Sequence, residues 1–138
     1  MLFRSNRAAS GLYTSMASTV AAVPAGKLAV AETSDHDSNR LASDFGSNNA
    51  RQKVAAALLF TQPFPPNIYY GDEIGMKGTK AAGTTDANDI PMREPFKWKA
   101  VAGAPMSNYP AIATGSIPPT YAANNDGRSV EEQKGVAG

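Results

Sequence analysis

The segment "KLAVAET" at residues 27–33 limits the fold more than any other feature of this 138-residue chain. It is apolar without a break from Leu28 to Ala31. A strand with one solvated face alternates apolar and polar residues, whereas a strand covered on both faces reads as a continuous apolar run. The segment therefore predicts a strand of a parallel sheet flanked by helices. Parallel neighbours need a long crossover connection, usually helical, and the chain supplies one. "VPAGK" at 23–27 ends a leading helix over 8–23, in which Leu12, Met16, Val20 and Val23 recur at helical spacing. A helical turn is expected around 40–45, stopped by Gly46. A second helix starts near Asn49, with Gln52 placed as in a capping box, and runs to Thr61. Its apolar stripe reads Val54, Ala57, Leu58 and Thr61. "PFPP" at 63–66 breaks it, and "NIYYG" at 67–71, rich in β-branched and aromatic residues, is the second strand. Helix, strand, helix, strand makes one parallel βαβ unit behind a leading helix.

Such a unit has little material for a core of its own. Alanine occurs 24 times, while Leu, Ile, Val and Phe together number 23 of 138 residues. That share lies below the roughly 20% at which a self-sufficient core becomes doubtful. Burial stabilises by roughly 25 cal/mol per Å² of apolar surface, and alanine offers little surface. Residues 77–128 are crowded with Gly, Pro, Asn, Asp and Ala, and a compact domain carries so long a loop mainly where it shapes a binding site. The formal net charge is +1, from 13 basic and 12 acidic residues, which gives no reason to expect nucleic acid or an anionic membrane as partner. The absence of cysteine excludes disulfides and thiolate metal sites. No apolar stretch approaches the roughly 20 residues of a membrane span. The first 30 residues carry Arg4, Arg7 and Lys27 and no acid. A transit peptide has that composition, but the strand pattern that follows Gly26 at once favours a leading helix. The sequence assigns no compartment.

Residues 33–46, "TSDHDSNRLASDFG", hold the only histidine, His36, between Asp35 and Asp37. Asp35, Asp37 and Asn39 match the first three ligand positions of an EF-hand loop. The position that needs glycine is Arg40, and the one that needs a bidentate glutamate is Gly46, so the calcium reading fails. One histidine without cysteine does not make a zinc site either, and no metal is expected. A polar turn remains open, because Asp and Asn suit a βα loop. So does a catalytic role, because the triplet lies where the strand gives way to its loop, the face that carries active sites in parallel α/β folds. A carboxylate there can stabilise positive charge developing on a substrate. The spacing alone names no reaction.

"TSDHDSNRLASDFG", followed by an Ala/Leu-rich helix and then "IYYGDEIGM" at 68–76, resembles the end of the barrel in the alpha-amylase family of glycoside hydrolases. In that family the seventh strand ends in an Asn-His-Asp stretch, and the eighth follows about thirty residues later as a Tyr-Tyr-Gly-acid-Glu-Ile-Gly-Met run. The resemblance covers residues 27–98. "DIPMREPFKW" at 89–98 looks more loosely like a Pro-Met…Trp segment of the family's oligosaccharide-acting members, and 124–136 like the lead-in to the last barrel helix. It implies that the whole chain, residues 1–138, is a C-terminal fragment of a (β/α)8 TIM barrel, an α/β fold. The fragment would hold about the last two βα units and the long 77–128 loop. It implies a retaining enzyme that hydrolyses or transfers α-glucosidic bonds in oligosaccharides or polysaccharides, without a cofactor. Asp37 corresponds to the transition-state-stabilising aspartate and His36 to a substrate-binding histidine. Arg40 would either line the sugar site or hold a carboxylate in place.

Two departures qualify the resemblance. Asp35 stands where the family has asparagine, adding a negative charge. The family's nucleophile and acid/base come from the fourth and fifth strands, which precede anything in residues 27–98. A retaining glycosidase needs two carboxyl groups about 5–5.5 Å apart. Asp72 and Glu73, neighbours in a predicted strand, point to opposite faces and do not form that pair. The isolated fragment is therefore expected to be inactive. Tyr69 and Tyr70 should alternate, one toward the barrel interior and one toward the helices. Trp98 either stacks on a sugar or packs its loop, and Arg93 is a further site candidate. Two rival readings stay open: a non-catalytic sugar-binding or assembly fragment, and a small organelle-targeted α/β protein whose motif match is accidental.

Overall fold

The computed structural model describes residues 9–83, 86–100 and 126–136. Helix α1 runs Ala9–Ala22 and ends where Lys27 N–H bonds the Pro24 carbonyl at 3.0 Å, with Gly26 at φ 75°. Of its predicted stripe, Leu12, Met16 and Val23 are half-buried, whereas Val20 is exposed.

The sheet is parallel, as the continuous apolar run requires, but short. Strand β1 is Ala31–Glu32 and β2 is Pro66–Asn67, in the register Ala31 to Pro66 and Glu32 to Asn67. The expected strands over 27–33 and 67–71 are each truncated. A ladder exists only where a neighbour offers backbone groups, and among the described residues 27–30 have no partner strand. Leu28 is 82% and Val30 57% exposed. On the other strand the chain turns away at Gly71, whose φ of 88° is easy only for glycine. A Cβ at Gly71 would also collide with the Met76 side chain.

Helix α2, Leu41–Asp44, is the predicted short turn, with Leu41 N–H bonded to Ser34 Oγ at 3.0 Å. Helix α3 is Asn49–Thr61. Its cap is Asn48 rather than Asn49: the Asn48 side chain accepts from Arg51 N–H at 3.0 Å. The buried face is Ala55 and Leu59, one position on from the expected stripe, and Val54 is 60% exposed. The sequence "VAAALLF" is apolar almost all round, so periodicity defines its inner face poorly. Leu59, Ala31 and Phe64 form the core cluster, with Met16 and Ala29 packed against it.

After β2 the chain makes a 3₁₀ turn at Asp72–Ile74 and a longer 3₁₀ segment at Asp86–Met92. Of the expected loop over 77–128, residues 84–85 and 101–125 lie outside the described residues. The chain returns at 126 and forms α4, Val130–Gln133, where the Ser129 side chain and Glu132 make a capping box. Arg128 fastens this return, donating to Ser47 O and Asn49 Oδ1 at 2.8 Å and to Gly75 O at 3.1 Å. Among the described residues no helix is long and apolar enough to cross a membrane.

Candidate active site

The loop after β1 is built by Asp35. Its Oδ1 accepts from Asp37 N–H and from Ser38 Oγ, both at 2.8 Å, an aspartate turn that tightens the chain. Burial pushes the Asp35 carboxyl upward. The Ser38 hydroxyl, the N–H groups of Asp37 and Ser38, and His36 more than offset this and leave it below its ordinary value. The extra charge at this position therefore has a local use in shaping the loop.

The loop presents Asp37 and His36 to solvent. His36 Nε2 lies 3.3 Å from Asp37 Oδ2, and the two side chains are 63% and 59% exposed. Asp37 lies in the loop beyond the C-terminal end of β1 rather than at the strand's last residue, because pairing stops at Glu32. The other oxygen of Asp37 belongs to Arg93, whose Nη2 donates to Asp37 Oδ1 at 2.7 Å and to Asp89 Oδ2 at 2.8 Å. Arg93 Nε donates to His36 O at 3.1 Å. Lys80 completes the group, with Nζ 2.7 Å from Asp89 Oδ1 and its backbone N–H bonded to Asn39 Oδ1 at 2.7 Å. The hydrogen bond and charge of Lys80 hold the Asp89 carboxyl below its usual range, against a smaller effect of burial.

Arg40 occupies the layer beneath and has no exposed surface. Its Nη1 donates to Tyr70 O at 2.6 Å and its Nη2 to Met92 O at 2.9 Å. The guanidinium lies 4.6 Å from the ring centre of Tyr69 and 4.7 Å from that of Tyr70, within reach of cation–π attraction. Both tyrosines thus flank one side chain instead of alternating, because residues 69–71 form a turn and not a strand. Their hydroxyls donate to Met92 O at 3.0 Å and Glu94 O at 2.6 Å, and burial raises the Tyr69 hydroxyl well above its ordinary pKa. Arg40 Nη1 also lies 3.8 Å from Asp72 Oδ1. Burial raises the Asp72 carboxyl, a shift only partly offset by Ser34, Arg40 and Thr33. Asp72 and Glu73 sit in a 3₁₀ turn and not a strand, and Asp72 is occupied as a buried partner of Arg40 and Thr33.

Trp98 is half-exposed and packs edge-to-face on Phe96, ring centres 4.8 Å apart. A cleft of about 640 Å³ beside α3 is lined by Gln52, Asp72, Glu73, Arg128 and Glu132 among others, but not by Asp37, His36 or Arg40. Among the described residues no group of three His, Asp or Glu side chains is placed to hold a metal ion. The grip of Arg93 on Asp37 spans 56 positions, and its only sequence signal is the loose likeness of the segment around it.

The arrangement is that of an exposed carboxylate, bound through one oxygen by Arg93 and beside His36 on the other, on the loop side of a parallel sheet. The family described as "Alpha amylase, catalytic domain" matches residues 4–118. The 4-alpha-glucanotransferase of Thermotoga maritima is 36% identical over 106 residues, covering 74% of this chain and 21% of that protein. Alpha-amylase SusG of Bacteroides thetaiotaomicron is 42% identical over 65 residues, 47% of this chain and 9% of its own length. The crystal structure of alpha-amylase from H. orenii superposes with a TM-score of 0.63 at 29% identity, covering 93% of this chain and 22% of that one. The chain spans about one fifth of the length of the Thermotoga relative, and its fold is that of a TIM-barrel fragment. The family match, residues 4–118, includes α1. A match running through both strands and on into the long loop is far more than two short motifs in accidental agreement, and the chain belongs to the alpha-amylase family of glycoside hydrolases.

Proposed function

We propose that this chain supplies the last two βα units of a retaining barrel enzyme that hydrolyses or transfers α-glucosidic bonds. On this reading β1 and β2 are the seventh and eighth barrel strands, α3 is the seventh helix, and residues 1–138 form one C-terminal piece of the catalytic domain. The substrate is an oligosaccharide or polysaccharide with α-glucosidic linkages, a class supported by relatives named 4-alpha-glucanotransferase and alpha-amylase.

Asp37 stabilises the positive charge that develops on the sugar in an oxocarbenium-like transition state. The observation that carries this is an exposed carboxylate beyond the end of β1, held on one oxygen by Arg93 and with His36 3.3 Å from the other. His36 hydrogen-bonds sugar hydroxyls. Arg40, expected either to line the sugar site or to hold a carboxylate in place, serves the substrate indirectly: fully buried, it fixes the floor under the loop that carries His36 and Asp37. The nucleophile and the acid/base come from elsewhere in the barrel, so the 138 residues alone have no turnover.

The test is sugar release or transfer from maltose, isomaltose, sucrose and starch. The chain alone should be silent, and the complete barrel containing it active. Turnover by the 138 residues alone, abolished by Asp37→Ala, would overturn the fragment reading.

A further inference from the structure

We infer that Arg93 is a positioning residue for Asp37, fixing the direction in which that carboxylate meets the developing charge; this rests on the reading of Asp37 proposed above. An aspartate on an exposed loop otherwise samples several rotamers, and electrostatic stabilisation demands a group already aimed at the reacting centre. Arg93 supplies the aim. Its guanidinium touches Asp37 Oδ1, Asp89 Oδ2 and His36 O, at 2.7, 2.8 and 3.1 Å. Its own backbone N–H bonds Ile90 O at 3.0 Å, fixing the stem to the 3₁₀ segment.

The anchor is itself anchored. Asp89 is buried, with a side chain only 10% exposed, and is clamped by Lys80 at 2.7 Å. Lys80 Nζ returns to the loop through Asp37 O at 3.3 Å. A cation against Asp37 alone would cancel the charge that the transition state requires. Here Asp89 shares the same Arg93 nitrogen, so the cation is divided between two carboxylates and Asp37 keeps part of its field. Only a planar fork with several donors makes all three contacts, and a lysine ammonium at the same place is a single point.

The experiment is a double-mutant cycle in the complete enzyme. Arg93→Gln should lower kcat about ten- to hundredfold, with KM held within about twofold, as expected for an interaction realised in the transition state. Arg93→Lys should recover part of the loss. In an Asp37→Asn background Arg93→Gln should cost little more, because there is no carboxylate left to aim. Arg93→Lys keeps the charge and serves the same cycle if the glutamine variant does not fold. A rise in KM with kcat retained would make Arg93 a ground-state sugar contact and overturn the inference. So would an equal loss in both backgrounds, the mark of general loop support. If Asp37→Asn by itself leaves kcat unchanged, the reading of Asp37 fails and the positioning role goes with it. If Asp37→Asn is damaging and Arg93→Gln is not, only the positioning role fails.

Discussion

Arg40 donates a 2.6 Å hydrogen bond to the backbone oxygen of Tyr70 and lies 4.7 Å from the centre of the same residue's ring. This contact locks the loop after β1 to the turn after β2, the two segments that follow the parallel strands. Removing the guanidinium would leave two carbonyl oxygens and the buried Asp72 without their cation. Breaking a buried pair of this kind costs about 3–5 kcal/mol. Arg40→Met should therefore lower the thermal midpoint of the complete enzyme sharply. Arg40→Lys should rescue little, since one ammonium does not reach both Tyr70 O and Met92 O. A variant at Arg40 with an unchanged midpoint would contradict this role.

Asp72 gives a pH dependence whose sign is opposite to that of Asp35, Asp89 and Asp126. Burial raises its pKa above the ordinary 3.8, so the folded state binds this proton more readily than the unfolded chain does. Its stabilising effect is complete below 3.8 and is lost as pH rises through the folded value. Asp35, Asp89 and Asp126 are lowered instead, and their contribution is lost as pH falls through their depressed values. Denaturant midpoints of the complete enzyme measured at successive pH values should show Asp72→Asn flattening the decline just above pH 3.8. An identical slope in the variant would exclude Asp72 as its source.

What could be read from the sequence was what local chemistry determines. Pro24 with Gly26 and the "PFPP" run bound α1 and α3, and the unbroken run from Leu28 to Ala31 called for parallel pairing, which the ladder from Ala31 to Pro66 has. The loop position of His36 and Asp37 followed from the same reading. The inner face of α3 did not, because alanines on every side give the helix little contrast between Val54 and Ala55. Nothing in the sequence takes the two tyrosines out of a strand, because the turn at Gly71 depends on Met76 and Arg40 packing against a missing Cβ. The role of Arg93 is hidden for a related reason: its reach to Asp37 is made by tertiary packing, and no spacing rule connects positions so far apart.

The isolated 138 residues should fold poorly. A TIM barrel closes with eight strands, and among the described residues two residue pairs make the ladder while Leu28 and Val30 lie open beside it. Unpaired strand edges of this sort invite association. Near-UV circular dichroism, with Trp98 and the tyrosines as probes, should give weak signals and no cooperative thermal transition. A sharp monomeric transition with fixed aromatic signals would identify a self-sufficient domain instead.

Whether Asp37 meets a positive charge formed only during reaction is read most directly from steady-state kinetics of Asp37→Asn in the complete enzyme. A preorganised charge of this kind is worth about 3–4 kcal/mol, or roughly 10²–10³ in rate. Its loss should fall on kcat and leave KM nearly unmoved, because the uncharged ground state makes little use of the carboxylate. A rise in KM with kcat unchanged would contradict the claim and reduce Asp37 to a sugar-binding group.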